Sequence, residues 1–161
     1  MLDRDPTLAV LETRDAAFAH AVAASALRHH GEISAVLERL LQKPLPRSSG
    51  PTRDILELGL AQLLFMKSNA PAAINLAVEM AKDDPKARHF ASLVNGVLRE
   101  AQRQGPPPPD PSRNMPDWLT KLLADAYDWQ TVHAIAAAHM SEAPLDISVA
   151  RDAEAWASNL N

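Results

Sequence analysis

The chain has 161 residues, of which 47% are hydrophobic and 22% charged, with a net charge of −4 and no cysteine. That length and apolar content suffice for one sizeable core and exclude a disordered chain. The lack of cysteine removes disulfides, thiolate metal sites and cysteine nucleophiles together, and it suits a reducing, cytoplasmic setting.

Few aromatic residues and an abundance of Ala and Leu favour helices over strands. The first fifteen residues show no basic segment followed by an apolar one, and no apolar stretch is long enough to span a bilayer. A soluble, cytoplasmic protein without a membrane partner is expected. The charge is uneven: residues 1–104 hold 13 Lys and Arg against 12 Asp and Glu, and residues 105–161 hold 3 against 8. The two parts are expected to do different jobs.

Gly and Pro cut the first part into five helical blocks. Thr13 is a candidate N-cap for an Ala-rich helix ending at His30-Gly31. Ile33 to Gln42 forms a second helix, stopped before Lys43-Pro44-Leu45-Pro46 because a residue preceding proline is driven out of the α region. After a loop from Arg47 to Gly50, Pro51 opens a third helix to Met66. Its Ile55, Leu56, Leu58, Leu60, Leu63, Leu64 and Phe65 lie nearly all round it, so it is expected to be central and buried. Pro71 opens a fourth helix through Lys82, and Pro85 a fifth ending near Gln104.

Gly105-Pro106-Pro107-Pro108-Pro109-Asp110-Pro111 cannot be helical and reads as an extended linker. Beyond it, Pro116 starts an amphipathic helix with Trp118, Leu119, Leu122, Leu123 and Tyr127, and Trp129 to Met140 is helical again. Leu145 to Ala150 alternates apolar and polar like a half-buried strand, and Asp152 to Leu160 resembles a helix after it. The expected organisation is a helical domain over residues 1–104, a Pro-rich linker over 105–115, and over 116–161 a helical connector with the start of a small α/β subdomain. The expected fold class is all-α.

No glycine-rich phosphate loop follows a strand, so no nucleotide or other cofactor site is expected. The histidines His20, His29, His30, His89, His133 and His139 include no i, i+4 pair, so no metal site is expected, and His29-His30 reads as two polar residues near a helix end. Asp83-Asp84 sits where turn formation explains it better than acid/base work. Met66, Met80 and Met140 read as core filler, and Trp118, Trp129 and Trp156 as packing residues more than base-stacking platforms. No catalytic residue is assigned.

The fifth helix carries the strongest functional signal. At about 100° per residue, Phe90, Val94, Val97, Leu98 and Ala101 gather on one side, and Arg88, Ser92, Asn95, Arg99 and Arg103 on the other. Such a stripe of donors suits repeated phosphate contacts, although a solvated helix face has the same appearance.

Several segments together resemble a known family: Arg14-Asp15-Ala16-Ala17-Phe18, Leu27-Arg28, the Lys43 to Pro46 turn, Ile55 to Leu64, Pro71-Ala72-Ala73-Ile74-Asn75, Leu93-Val94-Asn95-Gly96-Val97-Leu98-Arg99 and Pro116-Asp117-Trp118-Leu119. The sequence is similar to the N-terminal, NusB-like region of the RsmB (Fmu/Sun) family of 16S rRNA 5-methylcytosine methyltransferases. The resemblance implies a NusB-like helical bundle that binds rRNA. On physical grounds Gly96 is expected to permit close approach of another helix, and Asn95 to be a hydrogen-bonding partner inside the bundle rather than an RNA contact.

In that family, methyl transfer uses a cysteine nucleophile and a glycine-rich S-adenosylmethionine site. With neither, the chain is expected to be no enzyme by itself and to lack the catalytic domain, S-adenosylmethionine belonging to the missing part. Family members usually carry a longer basic N-terminal helix, so part of the RNA surface is expected to be missing here.

Carried over by position, the expected RNA contacts are Arg14, Arg28, Arg53, Arg88, Arg99 and Arg103, with Lys67, Lys82 and Lys86 secondary. A different class of function is a transcription-antitermination or protein-interaction module acting with a ribosomal protein on RNA. The Pro-x-Trp-Leu helix after the bundle argues against it. A degenerate scaffolding remnant is the third reading.

Overall fold

The computed structural model describes residues 10–141, 148–152, 156 and 158. Among these, seven α-helices and no strand are found. They are α1 (Thr13–Arg28), α2 (His30–Leu40), α3 (Thr52–Leu60), α4 (Ala70–Asp83), α5 (Ala91–Gln104), α6 (Asp117–Ala126) and α7 (Trp129–His139).

The all-α expectation holds, and the five blocks up to Gln104 correspond to α1 through α5. Most boundaries follow local chemistry. Helix α2 ends at Leu40, before the prolines at 44 and 46, and Asn69 caps α4 by accepting the Ala72 N–H at 3.1 Å, with Pro71 in the first turn.

Helix α3 is central, as its apolar surround requires. Ile55, Leu56 and Leu60 are buried and pack with Ile33, Val36 and Leu37 of α2, Ile74, Ala77 and Ala81 of α4, and Val94, Leu98 and Ala101 of α5. It continues into a π-helical turn, Ala61–Phe65, which hydrophobic periodicity does not reveal, and the chain leaves through Lys67 in a left-handed conformation (φ 52°). Gly59 is where α3 meets α5: a Cβ there would stand 2.9 Å from Leu98 Cδ1.

Four expectations are corrected. The first helix ends at Arg28 rather than His30-Gly31, with Glu12 in place of Thr13 at its N-cap position; only His29 interrupts the helices, and Gly31 lies inside α2. Gly31 is required by packing, since a Cβ there would stand 1.8 Å from the carbonyl oxygen of Arg113. The α/β start is not supported: Leu145, Asp146 and Ile147 lie outside the described residues, and Ser148, Val149 and Ala150 form no strand. Short alternation is not enough without a neighbouring strand to satisfy its backbone. Of the helix expected from Asp152, Trp156 and Ser158 are helical, and the Trp156 N–H donates to the Asp152 carbonyl at 3.1 Å.

Thirdly, Trp118 (66% exposed), Trp129 (61% exposed) and Trp156 stay outside the buried cores; Met80 is likewise exposed rather than core filler. In α6 the inward residues are Leu119 and Leu123, which join Met115, Val132 and Ala136 in a small second core, while Leu122 and Trp118 face outward. Fourthly, Gly96 is not a close-approach position, because a Cβ there would meet nothing within 4 Å.

The Pro-rich segment is docked on α2 rather than spanning a gap. It closes in a 3-10 turn, Pro111–Asn114, next to Gly31. The buried Glu32 holds it: Oε1 accepts the Asp110 backbone N–H at 3.1 Å, and Oε2 accepts from His29 Nδ1 at 2.8 Å and Asn114 Nδ2 at 2.9 Å. In return the Glu32 N–H donates to Asn114 Oδ1 at 3.1 Å. The His29 ring stacks on Phe65, centroids 3.8 Å apart. Burial alone would raise the Glu32 carboxyl, but these hydrogen bonds outweigh it and hold the group below its ordinary value.

Candidate nucleic-acid interface

Helix α5 divides as its wheel predicts. Val94, Val97, Leu98 and Ala101 are buried, and Ser92, Arg99 and Arg103 are exposed. Asn95 is half-buried, and its Oδ1 accepts from Arg99 Nε at 3.0 Å, so it steadies a surface guanidinium rather than bonding inside the bundle. That partner is neutral and leaves the Arg99 charge uncompensated by it. Arg103 instead forms an ion pair with Glu100, whose other oxygen accepts from Gln104 Nε2 at 2.7 Å.

Before α5 comes a built turn. The Asp84 carboxylate accepts the backbone N–H groups of Lys86 and Ala87, both at 2.8 Å, bonds that hold its carboxyl below the ordinary range. The 3-10 turn Ala87–Phe90 follows and presents Arg88 and His89 to solvent. Asp84 thus acts in turn formation, as read from the sequence.

The connection between α2 and α3 packs against this turn. Gly50 lies at φ 58°, where L side chains are strained, and a Cβ there would stand 2.8 Å from Lys86 Cβ. The contact between Arg47–Ser49 and Ala87–Phe90 brings Lys43 and Arg47 to the same end of the bundle as Lys86 and Arg88. Lys43 and Arg47 are exposed and were not anticipated. The only available signal was the Ser48-Ser49-Gly50 turn, which does not say what it packs against.

The other anticipated contacts are dispersed. Arg53 is bound to Glu57 (2.8 Å) and to Ser34 Oγ (3.2 Å), and Lys82 to Glu79 (2.7 Å). Arg28 borders a cleft with Pro111, Asn114 and Leu119, against the C-terminal extension. Lys67 is exposed beyond α3, at the opposite end of α4 from Lys86, roughly 20 Å away for a helix of this length. Arg14 is exposed in the first turn of α1. Among the described residues no group of three or more His, Asp or Glu side chains could hold a metal ion, and no helix is long and apolar enough to cross a membrane.

An all-helical domain centred on one apolar helix, with a donor-bearing fifth helix, is the class that fold and surface define. The NusB family profile matches residues 2–103, and the chain belongs to the NusB family. It is 34% identical over 143 residues to the ribosomal RNA small subunit methyltransferase B of Xanthomonas campestris, covering 88% of this chain and 32% of that protein. The Pseudomonas syringae protein of the same name is 33% identical over 148 residues, 88% of this chain and 33% of its own length. A probable ribosomal RNA small subunit methyltransferase B of Bacillus subtilis is 39% identical over 97 residues, 53% of this chain and 22% of its own. The chain thus spans about a third of the length of the first two of these curated relatives.

Proposed function

We propose that this chain is the RNA-holding NusB domain of a small-subunit rRNA methyltransferase, working in the cytoplasm on 16S rRNA. The observation that carries the reading is the exposed edge of α5: Arg99 and Arg103 along the helix and Lys86 and Arg88 at its start, joined by Lys43 and Arg47 from the facing connection. From Arg88 to Arg103 this edge runs about 20 Å at helical rise, enough to follow several phosphates of one strand. The similarity to rRNA methyltransferases supports RNA as the polyanion.

The chemistry belongs elsewhere. Attack on a cytosine ring by a thiolate needs a cysteine, and these 161 residues contain none. The domain's part is to bind and orient the transcript, with S-adenosylmethionine and the nucleophile supplied by a catalytic domain. A role with a ribosomal protein on RNA is the weaker alternative, and no structural feature favours it.

Binding of a labelled 16S rRNA hairpin across a salt titration tests this. Each phosphate contact contributes about 0.7–0.9 to the slope of log affinity against log salt. The double change Arg99→Ala with Arg103→Ala is expected to flatten the slope by up to about two such contacts. Salt-insensitive binding, or none, would overturn the reading. Binding that requires an added ribosomal protein would favour the alternative.

A further inference from the structure

A groove with a cavity volume of about 710 Å³ lies between α5 and the segment joining α2 to α3. Its walls are mainly apolar, with Leu41, Pro44 and Leu45 on one side and Phe90, Leu93 and Val97 on the other. It lies within the size range of small-ligand sites and has the apolar lining such sites show. Leu93 remains exposed beside it.

The position of Gly96 separates this groove from an incidental gap. Glycine in a helix interior is costlier than alanine, and it is normally retained where a neighbour comes too close for a Cβ. Gly31 and Gly59 have such neighbours, whereas Gly96 has none and its open side lines the groove. Packing within the described chain leaves the glycine unexplained. A molecule seated against α5 would explain it.

The rim states the charge of the occupant. Lys43 lines the groove, and the exposed Arg88 and Arg99 lie near it in sequence, two residues before Phe90 and three beyond Gly96. Inside, the polar groups are neutral or acidic: Gln42, Ser92 and Glu100. Glu100 already accepts from Arg103 and Gln104, but a carboxylate has about four acceptor positions, leaving capacity for an amino group. A slot with apolar walls, an acceptor within and a lysine in its lining fits a flat aromatic ring bearing amino groups and joined to phosphate. An acidic amphipathic helix would bring its own carboxylates against Glu100.

We propose that the groove between α5 and Leu41–Pro46 holds one unpaired nucleobase of the bound RNA. The base lies along Phe90 and over Gly96, with its flanking phosphates at Lys43 and Arg99. The inference rests on the RNA-binding reading and adds a preference for unpaired RNA. Aromatic side chains stack bases of any identity, so the groove selects an extruded base rather than a sequence.

Gly96→Leu is the informative variant, because a Cβ at this position meets nothing within 4 Å and Gly96 lines the groove. Anisotropy titrations would compare a hairpin carrying an unpaired loop nucleotide with a fully paired duplex of equal phosphate number. The full chain is expected to prefer the hairpin, and Gly96→Leu to lose about tenfold in hairpin affinity, as expected for a lost base stack. The variant should retain duplex binding and its salt slope. A 4-thiouridine at the unpaired position is expected to crosslink to the peptide containing Phe90 in the original chain and not in the variant.

Salt-sensitive RNA binding that Gly96→Leu leaves unchanged would overturn the groove proposal while leaving the RNA-binding reading intact. Absence of RNA binding by the unsubstituted chain would overturn both. Binding of an acidic amphipathic peptide that Gly96→Leu abolishes and RNA does not displace would also overturn the nucleobase assignment.

Discussion

The bundle and the C-terminal extension are held by different means. In the bundle, α3 is surrounded by apolar side chains from α2, α4 and α5, so its cohesion comes from removing hydrocarbon from water. The extension has a much smaller core of Met115, Val132 and Ala136, with Leu119 and Leu123 beside it. Its position against the bundle depends on one buried carboxylate and the close pass of Arg113 over Gly31. An apolar contact tolerates exchange for another apolar residue of similar volume. A hydrogen-bonded carboxylate does not, because deleting it leaves its donors stranded.

Substitutions that separate the two regions make this contrast measurable. The largest effect is expected from Leu56→Ala, which empties a fully buried site on the central helix and should cost about 2–5 kcal/mol in urea unfolding followed by circular dichroism. Gly31→Ala should act on the extension instead. Its methyl group overlaps the Arg113 carbonyl, and relief by displacement should cost roughly 1–3 kcal/mol of docking. Faster trypsin cleavage at Arg113, with the bundle's helical signal retained, would register it; equal loss of both signals would show that the regions do not separate.

Glu32→Ala should give a similar pattern at about 1–3 kcal/mol, because the Asn114 amide and the Asp110 N–H lose their acceptor.

Acid should reproduce part of that effect. The Glu32 carboxyl is held below its ordinary value of 4.5 in the folded protein, so its contribution is fully present above that value and is lost as pH falls through the lower, folded one. Protease sensitivity of the extension should therefore rise below about pH 4.5 and less so in Glu32→Gln. The smallest effect is expected from Trp118→Ala. Its exposed ring packs little, and unfolding should shift by no more than about 0.5 kcal/mol.

The regions also differ in how well their sequences announce them. Five helices and the central place of α3 followed from proline punctuation and the apolar surround of Ile55 to Leu64, both of which are local signals. The two faces of α5 were legible for the same reason. The roles of the glycines were not: Gly96 was read as a packing position and Gly31 as a helix stop, yet only backbone approach in three dimensions distinguishes them.

Nothing in the sequence marks Glu32 as buried, since two of its three partners lie 78 and 82 positions away. Amphipathic spacing in α6 groups Trp118, Leu119, Leu122 and Leu123 together, and burial separates Leu119 and Leu123 from the exposed Trp118 and Leu122. At the candidate interface, Arg99 and Arg103 lie on one helix and Arg88 in the 3-10 turn leading into it, close enough in sequence to be projected on one wheel. Lys43 and Arg47 join them only through the packing of two turns.

The pairing of Glu32 with Asn114 has a consequence for the order of folding. The two residues are 82 positions apart, whereas much of the bundle forms between consecutive helices. Long-range contacts form late because chain closure must be paid before they reward it. During synthesis the ribosome releases the bundle's five helices before Asn114 emerges, so Glu32 waits in water for its partner while its neighbours are already in place. The bundle is then the template on which the extension sets, and a released chain ending near Gln104 would leave an unfilled seat on α2.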